Sequence, residues 1–273
     1  MKPLRITLFT VTSIFLMLYL TVEINAQQRI LEFSGTSWKV SNGTATPSGN
    51  NLFKDDSTMQ YVDENGWLHL KLKKYHGIWY CSQLQAEESF GYGEYLFYLK
   101  TNLDELDERI VLGLLIDKDI SEANLPQAAF NANTLGIQIS RWNDPARSRG
   151  WYVIYPLPQD CRWPFDCTNM HAYVENFPIR IPKSNRTTYK LVWNNIPAKG
   201  RNVSFQSYIG NSPSLPKQTY LIKEVKFEGE NIPTFINKKP TLNLWFFGSN
   251  APVSQLLSEV EVIIKSVTYS FSK

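Results

Sequence analysis

Val260-Glu261-Val262-Ile263-Ile264-Lys265-Ser266-Val267-Thr268-Tyr269 sets apolar against polar side chains near the end of a 273-residue chain. A period of two sends successive side chains to opposite faces of an extended backbone, so this stretch reads as a strand with one buried face. The same period recurs outward from it, in Leu68-His69-Leu70-Lys71-Leu72-Lys73, in Tyr95-Leu96-Phe97-Tyr98-Leu99-Lys100 and in Tyr189-Lys190-Leu191-Val192-Trp193. Turn residues punctuate these runs at Glu64-Asn65-Gly66, Gly91-Tyr92-Gly93, Ala198-Lys199-Gly200 and Ile209-Gly210-Asn211. No long amphipathic helix is evident, and short helical turns are expected only near Ser121–Phe130 and Ser254–Leu257. Many strands with loop punctuation predict an all-β sandwich of two antiparallel sheets.

The amino terminus reads as a secretory signal. Lys2 and Arg5 give a basic start, Ile6 to Leu20 is an apolar run, and Ala26 is a small residue suited to cleavage. The run is about 15 residues, short of the roughly 20 that a membrane span needs. The expected division is a signal peptide at 1–26 and one domain at 27–273, because no Pro/Gly/Ser-rich linker, repeat or low-complexity tract divides the rest. Secretion to an extracellular or periplasmic space follows, with no membrane span once the signal is removed. The net charge of +3 comes with no basic stripe of the kind that nucleic acid needs.

Three cysteines fit an oxidising compartment. Cys161 and Cys167 flank Arg162-Trp163-Pro164-Phe165-Asp166, a loop that a bridge could close, adding about 2 kcal/mol by loop entropy. Cys81 is then left over and reads as a small buried apolar residue. His69, His76 and His171 sit at no metal-ligand interval, so neither a metal nor a cofactor is expected. Asn42-Gly43-Thr44, Asn185-Arg186-Thr187 and Asn202-Val203-Ser204 are glycosylation sequons.

Several segments, in order, resemble glycoside hydrolase family 16, the laminarinase and lichenase group. They are Asp63-Glu64-Asn65-Gly66-Trp67-Leu68, Trp79-Tyr80-Cys81-Ser82-Gln83-Leu84 followed by Phe90-Gly91-Tyr92-Gly93-Glu94-Tyr95, and Ile110-Val111-Leu112-Gly113-Leu114-Leu115. Ser140-Arg141-Trp142, Tyr189 to Trp193 with Val203-Ser204-Phe205, and Leu242-Asn243-Leu244-Trp245 with Gly248 and Pro252 complete the set. The resemblance implies a concanavalin A-like jelly-roll with a concave cleft that takes a β-linked polysaccharide.

It also implies a strand reading Glu-x-Asp-x-Glu, with a nucleophile, a charge-tuning Asp and a general acid/base on alternate residues of one face. In this chain Thr134-Leu135-Gly136-Ile137-Gln138-Ile139 precedes Ser140-Arg141-Trp142, so Thr134, Gly136 and Gln138 occupy those three positions. Threonine is a poor anomeric nucleophile without a base, glycine brings no charge, and a glutamine amide supplies no acidic proton. The acid-rich run Asp104-Glu105-Leu106-Asp107-Glu108 reads as a solvated loop, and Glu122 and Asp144 are isolated.

The expectation is a pseudoenzyme that holds a β-glucan or related polysaccharide without cutting it. Gln138, Trp142, Trp151, Tyr155, Trp163, Asn243 and Trp245 are the candidate sugar contacts, with Trp142 the leading stacking residue, while Trp193 is assigned to the core. Two alternatives stand beside it: an active endo-glycosidase using other carboxylates, and a structural or surface-interaction module without a sugar role.

Overall fold

The computed structural model describes residues 28–45, 51–118, 134–154, 173–177, 186–197, 199–210, 221–229, 232–235, 238–249 and 259–271. The expected signal at 1–26, Tyr155, Trp163, Cys161, Cys167 and both expected helical turns lie outside the described residues.

The strands are β1 (Ile30–Phe33), β2 (Thr36–Val40), β3 (Gly43–Ala45), β4 (Asn51–Phe53), β5 (Gln60–Val62), β6 (Leu68–Tyr75), β7 (Ile78–Tyr80), β8 (Ser82–Ala86) and β9 (Gly93–Leu99). They continue with β10 (Ile110–Lys118), β11 (Leu135–Ile139), β12 (Gly150–Ile154), β13 (Tyr173–Phe177), β14 (Thr187–Ile196), β15 (Gly200–Ile209), β16 (Leu221–Glu228), β17 (Lys238–Phe246) and β18 (Glu259–Phe271). Among the described residues helix is confined to two 3-10 turns, Leu103–Glu105 and Phe247–Ser249. One sheet has the order β1-β2-β8-β17-β10-β11-β12-β13. The other runs β16-β15-β14-β9-β18-β6-β5, with β7 also on β6, while β3 and β4 pair separately. All these strand pairs are antiparallel, so the predicted all-β, two-sheet jelly-roll sandwich is the observed fold.

The core lies between the sheets. Leu112, Leu114, Leu135, Ile137, Leu242 and Leu244 meet Tyr95, Phe97, Leu191, Trp193, Val262 and Ile264, all buried. Trp193 is therefore a core residue, as its sequence context predicts. Cys81 is also as expected: buried and free, its thiol pushed up to about 12 by burial.

β18 explains a break in its own sequence pattern. Val262 and Ile264 point into the core, but the next buried residue is Val267, three positions on. The register with β9 shifts between Ile264 and Ser266, the extra residue of a β-bulge, which moves the inward set from even to odd positions. Of the sequons, Asn42 is exposed, whereas Asn202 is buried on β15 with its Oδ1 accepting a bond from Asn194 Nδ2 at 3.2 Å.

Asp56 fixes the turn between β4 and β5. It accepts hydrogen bonds from Lys54 Nζ at 2.8 Å, Thr58 N at 2.9 Å, Thr58 Oγ1 at 2.8 Å and Tyr75 OH at 3.0 Å. Burial alone would raise its pKa, but the bonds from Lys54, Thr58 and Tyr75 outweigh it and hold the carboxyl well below the usual range. A depressed folded pKa adds stability above the unfolded value of about 4 and loses it as pH falls further. Asp56→Asn is expected to cost about 2 kcal/mol at pH 7. The gap from wild type should narrow as pH drops below about 4 in urea titrations followed by tryptophan fluorescence. A gap that stays constant with pH would mean that the charge on Asp56 is not what stabilises the turn.

Candidate functional site

Alternation divides β11 between two environments. Leu135, Ile137 and Ile139 enter the core between the sheets. Thr134, Gly136 and Gln138 take the opposite face of the first sheet, as the sequence pattern requires. In antiparallel register, residues directly opposite share a face. Gln83 on β8 faces Asn243 on β17, Asn243 faces Gly113 on β10, and Gly113 faces Gln138 on β11. Gln138 then faces Trp151 on β12, and Trp151 faces Asn176 on β13. The fold thus collects four amide side chains and one indole into a single row that crosses six strands, a span of about 24 Å.

No member of this row carries a carboxyl group. Gln83, Gln138 and Asn243 are each 6–9% exposed, so they form a recessed floor and not open surface. Gln83 Nε2 donates to Ser41 Oγ at 3.0 Å. In the next row Gln85 Nε2 donates to Thr241 Oγ1 at 2.9 Å. Asn243 is different: its Oδ1 is buried over Gly113 without a hydrogen-bond partner. Amides of this kind bind hydroxyl groups, as donor and acceptor at once, and give no proton at neutral pH.

Two glycines record how closely the strands approach here. A Cβ on Gly113 would lie 2.3 Å from Asn243 Oδ1. A Cβ on Gly136 would lie 2.4 Å from Leu114 O and 2.8 Å from Leu115 Cα. The second contact is with backbone, so no side chain fits at 136 unless β10 and β11 separate. The position that the resemblance assigns to the central Asp is closed as well as uncharged.

The tryptophans do not all serve alike. Trp142 is 3% exposed, has φ 55°, and its ring centroid lies 5.4 Å from Phe247, 6.3 Å from Trp245 and 6.5 Å from Trp151, all edge-on. It is a packed support, and the expectation that it stacks on a sugar does not hold, because neighbouring rings already take its faces and edges. Its left-handed backbone is held by a bond from Trp142 N to Ser140 Oγ at 3.0 Å and by Asn143 N donating to Glu108 O at 2.9 Å. Trp151 is half-buried and lies in the amide row. Its indole N–H donates to Ser140 O at 2.8 Å, which fixes the ring and turns its polar edge inward. Asn243 and Trp245 share this face, as predicted, although Trp245 is mostly buried against Trp142.

A third row continues the face with charge. Thr134 Oγ1 donates to Asp117 Oδ1 at 2.5 Å, and Asp117 faces Lys239 across β10 and β17. Gln83, Asp117 and Arg149 escaped sequence reading. Gln83 and Gln85 carry a visible signal, polar residues at period two inside the apolar segment Ser82-Gln83-Leu84-Gln85-Ala86. Arg149 has none. It becomes notable only because the fold buries it at the end of this face, beside the acid run 104–108, which is therefore not simply a solvated loop. Among the described residues no group of three or more His, Cys, Asp or Glu side chains is placed to hold a metal ion.

No protein-family model matches the chain, and no curated protein matches it. Solved structures match across most of its length. A β-glucanase of Bacillus licheniformis is 14% identical, covers 86% of this chain and 92% of its own, and superposes with a TM-score of 0.53. An immunostimulatory antigen and pseudo β-1,3-glucanase of Mycobacterium tuberculosis is 12% identical over 86% and 91%, with a TM-score of 0.57. The LamA protein of Zobellia galactanivorans, in complex with laminaritriose and laminaritetraose, is 14% identical over 89% and 96%, with a TM-score of 0.56. The chain has the fold of the β-glucanase type of glycosyl hydrolase, as the resemblance to family 16 implied.

Proposed function

We propose that this is a secreted polysaccharide-binding protein, built on a family-16-like jelly-roll and catalytically silent, which holds a β-glucan or a related β-linked polysaccharide along the amide row. The single observation that carries this reading is the composition of that row. The row presents Gln83, Asn243, Gln138 and Asn176 around Trp151, with hydrogen-bonding groups and an aromatic ring but no acid. A retaining mechanism needs two carboxyl groups about 5–5.5 Å apart. Two fold neighbours support the same direction, one named a pseudo β-1,3-glucanase and one solved with laminari-oligosaccharides. Secretion rests on the amino-terminal pattern Lys2, Arg5, Ile6–Leu20 and Ala26.

The hydrogen bond between Thr134 and Asp117 gives the hydrolase alternative its one foothold, since Asp117 is a carboxylate beside the position assigned to the nucleophile. The two readings separate cleanly. Reducing-sugar release from laminarin, lichenan or agarose should stay at background, and laminarin cast into a native gel should retard the protein. Trp151→Ala should weaken that retardation several-fold, since stacking on one ring is worth about 1 kcal/mol. Turnover that disappears in Asp117→Ala would replace the binding reading with the hydrolase. An absence of retardation by every polymer would favour the structural module.

A further inference from the structure

The strongest unassigned feature is a buried guanidinium at the end of the same face. Arg149 precedes β12, two residues before Trp151, and its backbone carbonyl accepts from Ser140 N at 2.7 Å, which extends the β11–β12 ladder by one pair. Residues two apart on a strand share a face, so Arg149 lies next to Trp151 on the side that carries the amide row. It is 5% exposed, and its Nε and Nη1 are buried without a hydrogen-bond partner. Its carboxylate neighbour is Asp104, whose Oδ1 lies 3.7 Å from Arg149 Nε, too far for a hydrogen bond. The same oxygen is 3.6 Å from Arg141 Nη2.

Two guanidiniums therefore share one carboxylate oxygen, and neither bonds to it. The other acids nearby are engaged elsewhere or act from farther away. Asp144 is paired with Arg147 at 2.9 Å, Asp107 Oδ1 accepts from Arg109 N at 2.9 Å, and Asp107 and Glu108 reach Arg149 only through longer-range attraction. Burial, and then the neighbouring Arg141, push the Arg149 pKa down to about 10. A buried cation with unfilled donors is costly, and a structure that keeps one is poised to accept an anion.

We propose that Arg149 and Arg141 hold the carboxylate or sulfate group of an acidic sugar, next to the ring that stacks on Trp151. The proposal rests on the reading of this face as glycan-binding and adds that the bound polysaccharide is charged. The incoming anion takes the place of Asp104, whose side chain is 41% exposed and can turn out into water. A guanidinium meets carboxylate and sulfate oxygens through paired N–H donors, which suits either group. The uncharged amide row favours the same ligand. Thr134 and Gln138 stand where the resemblance places two glutamates, so the positions that would repel an anionic chain carry no charge.

The test compares polymers with one β-1,3-glucan backbone: laminarin, sulfated laminarin and carboxymethyl curdlan, titrated calorimetrically at about 150 mM salt to screen non-specific attraction. At least one charged polymer should bind about tenfold more tightly than laminarin, and which one does so distinguishes sulfate from carboxylate. Arg149→Gln and the more exposed Arg141→Gln should each remove most of that preference and leave laminarin binding in place. Asp104→Asn should strengthen binding of the charged polymer several-fold by removing the competing carboxylate. Lys226→Gln, on the far sheet, controls for general charge and should change nothing. Equal affinity for neutral and charged polymers overturns the proposal while the glycan-binding reading stands. So does an anionic preference that Arg141→Gln and Asp104→Asn leave untouched. Failure of the wild type to bind any of the three overturns the underlying reading itself.

Discussion

Gly136→Asp is expected to unfold the protein before it can restore any catalysis. The clash comes with the first carbon of the new side chain. A Cβ at 136 lies 2.4 Å from Leu114 O and 2.8 Å from Leu115 Cα, and these are backbone atoms of β10 that cannot rotate away. β10 is itself fixed on its other side by nine register pairs with β17, from Ile110 with Phe246 to Lys118 with Lys238. Gly136→Ala should therefore cost about 3 kcal/mol, at the upper end of overpacking, and lower the melting temperature by about 10 °C. Gly136→Asp should cost more, because it also buries a carboxylate that has no cationic partner across the register. Thermal unfolding followed by circular dichroism checks both. Thr134→Glu and Gln138→Glu serve as comparators, since both positions already carry side chains. A Gly136→Ala protein within about 0.5 kcal/mol of wild type would show that the strands separate freely. An aspartate variant that folds, combined with the two glutamates and releasing reducing sugar, would show that the hydrolytic machinery is intact around the missing acids.

Trp142→Ala is the second large effect, and it should appear as lost stability more than as a lost contact with sugar. The ring is almost completely buried and is the common neighbour of Trp151, Trp245 and Phe247. Removing it leaves a cavity under the end of the row, at a cost of about 4 kcal/mol. Trp142→Phe should recover part of this, because a ring of similar placement refills the space. Trp151→Ala should show the reverse balance, a smaller loss of stability and a larger loss of laminarin binding, since Trp151 is only half-buried. Chemical denaturation and gel retardation on the same pair of variants provide the comparison. Equal stability losses, with equal loss of binding, would mean that the two rings act as one unit and that the division between support and contact is wrong.

Thr134 and Gln138 already carry side chains, both of them buried. Glycine at 136 allows β10 and β11 to approach closely, with Leu115 packed against it. With that approach in place, a side chain cannot be introduced at 136 alone.

Much of this was legible in the sequence. The period-two runs located the strands, and the parity of Leu135, Ile137 and Ile139 told which face of β11 is core, because a strand has only two faces and one of them was apolar. The change of parity between Ile264 and Val267 is also visible in the letters, and the structure shows it as a bulge. Trp142 departs from the role expected of it for a physical reason. A tryptophan just past a site strand looks the same whether its ring faces solvent or turns under its neighbours, and here the left-handed conformation of Trp142 and Asn143 turns it under.

By itself, the sequence determined the class of fold, the faces of the strands and the absence of acids at Thr134, Gly136 and Gln138, because all of these follow from residue type and alternation along one segment. Only the tertiary structure decided which residues stand beside them. The row from Gln83 to Asn176 is assembled from six strands distant in sequence. The closure at Gly136 depends on the register of β10, and the unfilled donors of Arg149 depend on how deeply the fold buries it. Register and burial are properties of strands meeting one another, and no single stretch of chain records them.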